Sequence, residues 1–299
     1  MEILSITGLQ KRFGEKPVLC GLDLTIPAQS VFGFIGKNGA GKTTTMKAVL
    51  GLLRPDDGRI EVMGEPVRFG KTATNRHLGY LPDVPAFYPF FTAREYLSLC
   101  GEITGMDRRV IATRSEELLE LVGLRGERSR IGGFSRGMKQ RLGIAQALLA
   151  SPKLLLCDEP TSALDPIGRR EILTLLSAVR EQTTVLFSTH ILSDIEQICT
   201  DVAILDGGKI ALHGTVDALR RMHRTQELIL TLRKEADKDA LLATFPALTR
   251  HPDGTLRLSG NEDARAALLS YIGAQRIDFL RLEYAEPTLE SLFLEVTGS

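Results

Sequence analysis

Gly36-Lys-Asn-Gly-Ala-Gly-Lys-Thr-Thr44 is the stretch that decides the fold of this 299-residue chain. It follows Val31-Phe-Gly-Phe-Ile35, an apolar run of strand length, and precedes Thr45-Met-Lys-Ala-Val-Leu50, which reads as a helix. The glycines therefore fall in a strand-to-helix turn, the setting a phosphate-binding loop requires. Gly36, Gly39 and Gly41 carry no Cβ, which frees the backbone to turn several N–H groups toward one centre, where the phosphate oxygens of a nucleotide meet them. Lys37, Asn38, Ala40 and Thr44 fill out the loop. Lys42 adds a mobile cation for the β and γ phosphates, Thr43 a hydroxyl for Mg²⁺, and the new helix its positive dipole end.

A second site element lies over a hundred residues further on. Lys153-Leu-Leu-Leu-Cys-Asp158 is apolar without alternation, as in a parallel strand covered on both faces, and it ends in Asp158-Glu159. Carboxylates at the C-terminal tip of such a strand border the ligand crevice of an open α/β sheet. Asp158 is suited to hold Mg²⁺ through water, and Glu159 to polarise a water for attack on the γ-phosphate. Thr183-Thr-Val-Leu-Phe-Ser188 reads as another buried strand and ends at Thr189-His190, where His190 either hydrogen-bonds the γ-phosphate or serves only structure.

Other stretches leave two readings open. Phe13, just before Gly14, either projects from a loop to stack on a flat ring such as adenine or packs in the core. Ser135 stands in an N-cap position, either as a plain helix start or, with Gly137, as a second anion site. Residues 84–92, with two prolines and four aromatics, introduce a helical region over 93–123 and act as a docking surface or an internal plug.

Composition narrows the class. Hydrophobic residues at 43% and charged residues at 25% describe an ordinary globular chain. Lys+Arg and Asp+Glu are 37 each, which argues against a strongly basic nucleic-acid surface. No apolar run approaches bilayer length and Met1-Glu-Ile-Leu-Ser lacks a basic signal start, so a cytosolic location is expected. Cys20, Cys100, Cys157 and Cys199 show no metal or redox spacing and read as reduced packing residues.

The pattern changes past residue 220. Asp201–Leu205 and Lys209–His213 flank Asp206-Gly-Gly208 as a hairpin, and residues 221–226 form a polar join. Beyond it, strands are expected at 228–233, 255–259 and 277–284, and helices at 237–245, 262–274 and 288–296. The reading is an α/β nucleotide-binding domain over 1–220 and a small α+β domain over 221–299.

Taken together, these motifs resemble the ATP-binding cassette (ABC) family. Residues 36–44 match its Walker A motif, Leu154-Leu-Leu-Cys-Asp-Glu159 its Walker B motif and catalytic glutamate, and Phe134-Ser-Arg-Gly-Met138 its signature sequence. Ser162-Ala-Leu-Asp165 matches the D-loop, His190 the switch histidine, and Phe13 sits where the family places its adenine-stacking aromatic. The resemblance implies a P-loop domain with a mixed sheet, an antiparallel β subdomain and a helical subdomain. It implies ATP and Mg²⁺ as ligands, Glu159 and His190 as catalytic residues, and a second cassette, identical or different, that contributes Ser135, Gly137, Met138 and Asp165 across the nucleotide. The signature departs from the common Leu-Ser-Gly-Gly-Gln at Arg136 and Met138, and Asp83 stands where a glutamine is usual; it is placed with Thr43 and Asp158 as a candidate metal ligand that must move inward to serve. Residues 286–298 resemble the ending of prokaryotic export ATPases that serve separate permeases, which implies a peripheral position on the inner face of the cell membrane. The alternative is a soluble cassette that switches a ribosome or nucleic-acid partner.

Overall fold

The computed structural model describes all residues except 1, 72, 163, 223–226, 261, 285–287 and 299. Most of the expected join, Ala163 of the D-loop stretch and Glu286-Pro287 of the export-type tail lie outside the described residues. Contacts divide the chain into two compact units, Met1–Val216 with Glu295–Ser299, and Asp217–Leu294. Among the described residues, no helix is long and apolar enough to cross a membrane.

The first unit opens with β1 (Glu2–Phe13) and β2 (Lys16–Pro27), an antiparallel hairpin whose turn is only Gly14-Glu15. After β3 (Val31–Gly36) and α1 (Lys42–Val49), β4 (Asp57–Val62) and β5 (Glu65–Pro66) complete an antiparallel sheet ordered β2-β1-β4-β5. Helix α1 starts three residues earlier than periodicity indicates, directly from the glycine loop.

Next come β6 (Leu78–Leu81), α2 (Ala93–Ile103), α3 (Arg108–Leu121) and α4 (Arg136–Leu148). Thr92 caps α2 by a reciprocal arrangement with Glu95, and Asp107 caps α3, so the expected 93–123 region is two helices. Ahead of α2, Phe87 packs edge-on against Tyr96 with centroids 5.0 Å apart, whereas Tyr88 and Phe90 are exposed.

The chain continues through β7 (Leu154–Asp158), α5 (Pro166–Ala178), β8 (Thr184–Thr189), α6 (Leu192–Ile198), β9 (Asp201–Asp206), β10 (Lys209–Thr215) and α7 (Val216–Met222). The main sheet is ordered β10-β9-β3-β8-β7-β6, parallel except for the β10 edge. Every residue of β3, β7 and β8 is buried, which is why these strands read as continuous apolar runs. Parallel pairing sets Ile35 beside Thr189 and Asp158 beside Ser188, so the ends of three strands meet.

The second unit runs β11 (Leu228–Leu232), α8 (Glu235–Thr244), β12 (Leu248–Arg250), β13 (Leu256–Leu258), α9 (Glu262–Ala274) and β14 (Phe279–Tyr284), followed by α10 (Leu289–Thr297). Its antiparallel sheet is ordered β12-β13-β11-β14, the split βαβ arrangement of ferredoxin-like domains. Among the described strands of this unit β12 escapes the sequence, because Leu248-Thr-Arg250 buries a single apolar residue, whereas the equally short β13 alternates Leu256 and Leu258. Leu228, Leu230 and Leu232 alternate into a core with Leu241, Leu256 and Leu268. Leu230→Ala should cost about 2–5 kcal/mol, read as faster amide hydrogen exchange across β11, β13 and β14.

Candidate functional site

The glycine loop is built by close approach as well as by backbone freedom. Gly39 has φ +83° and Gly41 φ +116°, and a Cβ on Gly41 would come within 2.7 Å of Leu19 Cδ2. Because Gly41 is the N-cap of α1 and offers no side chain to it, the first amides of α1 have no side-chain cap. Lys42 is buried beneath the loop, donating from Nζ to the Gly36 carbonyl at 2.7 Å and to that of Lys37 at 3.4 Å. Lys37, Asn38 and Gly39 are exposed, and Ala40 and Thr44 half-buried.

Thr43 Oγ1 donates to Asp158 Oδ2 at 2.6 Å, and Ser188 Oγ donates to the other carboxylate oxygen at 2.7 Å. Asp158 is only 3% exposed, so these hydroxyls replace the water it has lost. The next residue, Glu159, adopts φ +48°, a left-handed conformation that costs a non-glycine residue about 1–3 kcal/mol. Its N–H is held by the Ser188 carbonyl and Oγ, both at 3.1 Å. Its carboxylate pairs with Lys42 Nζ at 3.2 Å through one oxygen and lies 2.9 Å from His190 Nδ1 through the other. Against an ionised carboxylate, that contact requires Nδ1 to carry its hydrogen, which leaves Nε2 facing elsewhere as an acceptor when the ring is neutral.

Lys42, Thr43, Asp158, Glu159 and His190 thus form one connected group. Ser188 belongs to it and escapes sequence reasoning; its only signal is a small polar residue ending an apolar strand two positions before His190. Asp194 on α6 escapes as well. It is 1% exposed and accepts from Thr161 Oγ1 at 2.7 Å and from Arg169 Nε at 2.5 Å, which ties the segment after Glu159 to α5. Its sequence neighbours look like an ordinary polar helix face.

Two expected positions, Phe13 and Asp83, lie outside that connected group. Phe13 is the last residue of β1, paired with Lys16, and not part of a loop; its ring is 51% exposed with Lys11 Nζ 5.6 Å from the centroid. The same hairpin carries Leu19 against Gly41, which places it beside the glycine loop. Asp83 accepts a short hydrogen bond from Ser162 Oγ, in the stretch that follows Glu159, and bonds neither Thr43 nor Asp158. Tyr80, near both Asp158 and Asp83, has its hydroxyl pushed up to about 12, chiefly by burial and then by those carboxylates.

Ser135 caps α4, accepting from Met138 N–H at 3.2 Å, and Asp165 caps α5, accepting from Gly168 N–H at 2.8 Å. Ser135, Gly137 and Asp165 share a groove of about 360 Å³ that also contains Arg136. Among the described residues, no hydrogen bond or ion pair joins Ser135, Gly137, Met138 or Asp165 to residues 36–44. Nor are three or more His, Cys, Asp or Glu side chains gathered there as a metal cage.

Known proteins share this plan. Residues 19–162 match the family profile described as ABC transporter. The bacitracin transport ATP-binding protein BcrA of Bacillus licheniformis is 36% identical over 99% of this chain and 97% of its own length. The daunorubicin resistance ATP-binding protein DrrA3 of Streptomyces coeruleorubidus is 34% identical over 99% and 96%. A solved ATP binding subunit of an ABC transporter superposes with a TM-score of 0.66 at 32% identity, over 74% of this chain and 92% of that one. With full-length identity of this order added to the shared fold, the chain belongs to the ATP-binding cassette family, as an ATPase subunit of an ABC transporter.

Proposed function

We propose that this subunit binds ATP with Mg²⁺ and drives export through separate integral membrane permease subunits, with residues 1–220 as the ATP-binding domain and 221–299 as an accessory domain. The observation that carries the reading is the connected group of Lys42, Thr43, Asp158, Glu159 and His190 at the strand ends. The names of relatives in bacitracin transport and daunorubicin resistance support export and lend nothing to a ribosome or nucleic-acid switch. No nucleic-acid partner is proposed.

In this reading the amides of residues 36–44 and the Lys42 cation take the β and γ phosphates, while the exposed Phe13 ring offers adenine a flat face. Thr43 and Asp158 present two hard oxygens 2.6 Å apart, a donor set that suits Mg²⁺, which takes few protein oxygens and completes its shell with water and phosphate. Bound there, the ion would neutralise phosphate charge. Asp83 would have to leave Ser162 to join it.

Lys42 pairs with Glu159 at 3.2 Å, so a γ-phosphate that draws the cation away also frees the carboxylate. Glu159 then accepts the proton of the attacking water as its oxygen bonds to the γ-phosphorus and the bond to ADP breaks. His190 orients Glu159 through Nδ1 and turns Nε2 to the phosphate.

Ser135, Gly137, Met138 and Asp165, which are not joined to the glycine loop of their own chain, complete the site of a second cassette placed head to tail, of the same or a different sequence. ATP would add contacts only in that closed pair, so binding closes it and hydrolysis releases it. The exposed aromatics Tyr88 and Phe90 are assigned to the permease contact, which places the subunit on the cytoplasmic face of the membrane.

Glu159→Gln should retain ATP binding and lose roughly 10² to 10⁴ in turnover; near-normal phosphate release from the purified complex would remove Glu159 from the role of base. For Lys42→Ala, calorimetry should find ATP binding abolished, and an undiminished affinity would count against the loop assignment.

A further inference from the structure

The two edges of the Asp217–Leu294 sheet are unlike each other. β12 is three residues long, and its Arg250 makes ion pairs with Glu235 and, at 3.8 Å, with Asp239, so this edge is short and charged, as edges guarded against pairing are. β14 runs six residues and pairs with β11 on one side, with no strand on the other among the described residues. Phe279, Leu280 and Tyr284 are 44%, 58% and 59% exposed along it. An open edge of this length with apolar side chains is a template for another strand.

We infer that β14 pairs antiparallel with β14 of a second copy of this chain, about a two-fold axis through Leu282. That axis sets Arg281 opposite Glu283 of the second copy, and the reverse, with Leu280 opposite Tyr284 and Leu282 opposite itself. Arg281 and Glu283 stand two residues apart, on one face of the strand, and already pair within the chain at 2.8 Å. Across the axis the four charges alternate in sign around a square, so every neighbour along and between the strands is opposite. Shifting the axis selects against itself. Centred on Arg281 or on Glu283, it sets like charges opposite each other, and centred between Arg281 and Leu282 it faces each charge with leucine. This self-complementarity commits the edge to a second copy and not to an unrelated strand.

The pairing needs no nucleotide and stands apart from the head-to-tail reading of the ATP site. Sedimentation of the full chain without nucleotide, from about 1 to 100 μM, should show a concentration-dependent dimer. Arg281→Glu gives an all-acidic edge and Glu283→Arg an all-basic one, and each alone should dimerise about tenfold more weakly or worse. An equimolar mixture of the two variants should recover dimer, because acidic edge then meets basic edge while each chain keeps its internal repulsion. A monomeric wild-type chain at every concentration, a dimer indifferent to Arg281→Glu, or a mixture no better than its components would each overturn the proposal. A dimer seen only with ATP in the Glu159→Gln background, and unchanged by Arg281→Glu, would support the nucleotide reading and overturn this one.

Discussion

The parallel pairing of β3, β8 and β7 is the constraint on which the rest of this protein depends. Three buried strands pointing the same way bring Gly36, Thr189 and Asp158 to one edge, so the loops that leave them share a single crevice. Everything at the site is an elaboration of that meeting. Thr43 reaches Asp158 from the first turn of α1, which follows β3, and Ser188 reaches it from the adjacent strand β8; Lys42 and His190 reach Glu159 from the ends of the same two segments.

The electrostatic balance explains why these side chains are held so firmly. Lys42 is 6% exposed and the Glu159 side chain 15% exposed, so each offsets a charge the other cannot leave bare. Breaking one member of such a buried pair typically costs about 3–5 kcal/mol. The left-handed turn at Glu159 is a further expense that the Ser188 contacts offset, and it lifts the carboxylate off the line of β7 toward Lys42 and His190. In the proposed reading, a phosphate entering this group would meet a cation already desolvated and a carboxylate already aimed, the preorganisation that phosphoryl transfer relies on.

The two units solve the edge problem differently. The main sheet ends in β10, an antiparallel edge that alternates between half-buried and exposed residues, whereas the small sheet has one charged, short edge and one longer edge that exposes Phe279, Leu280 and Tyr284 beside the Arg281–Glu283 pair. The contrast within the small unit is a property of side chains at the ends of β14 and β12, not of the fold they share with other split βαβ domains.

The sequence by itself determined the fold class, the glycine loop and the acid pair, because each is written in contiguous residues: an apolar strand, a run of glycines ending in Gly-Lys-Thr, and Asp158-Glu159 closing a buried strand. It also carried most of the small unit, whose strands and helices show a period; β12 does not, because it buries only Leu248, whereas the equally short β13 alternates Leu256 and Leu258. Tertiary structure alone decided what crosses between segments. Ser188 and Asp194 acquire their roles from partners about thirty residues away, Asp83 is drawn to Ser162 seventy-nine residues on, and Phe13 sits in a strand because a two-residue turn lets β1 run on to meet Lys16. A local pattern records which face of an element is apolar. It does not record which hydroxyl or carboxylate packing will set beside it, because that depends on the register of strands that are distant in the chain.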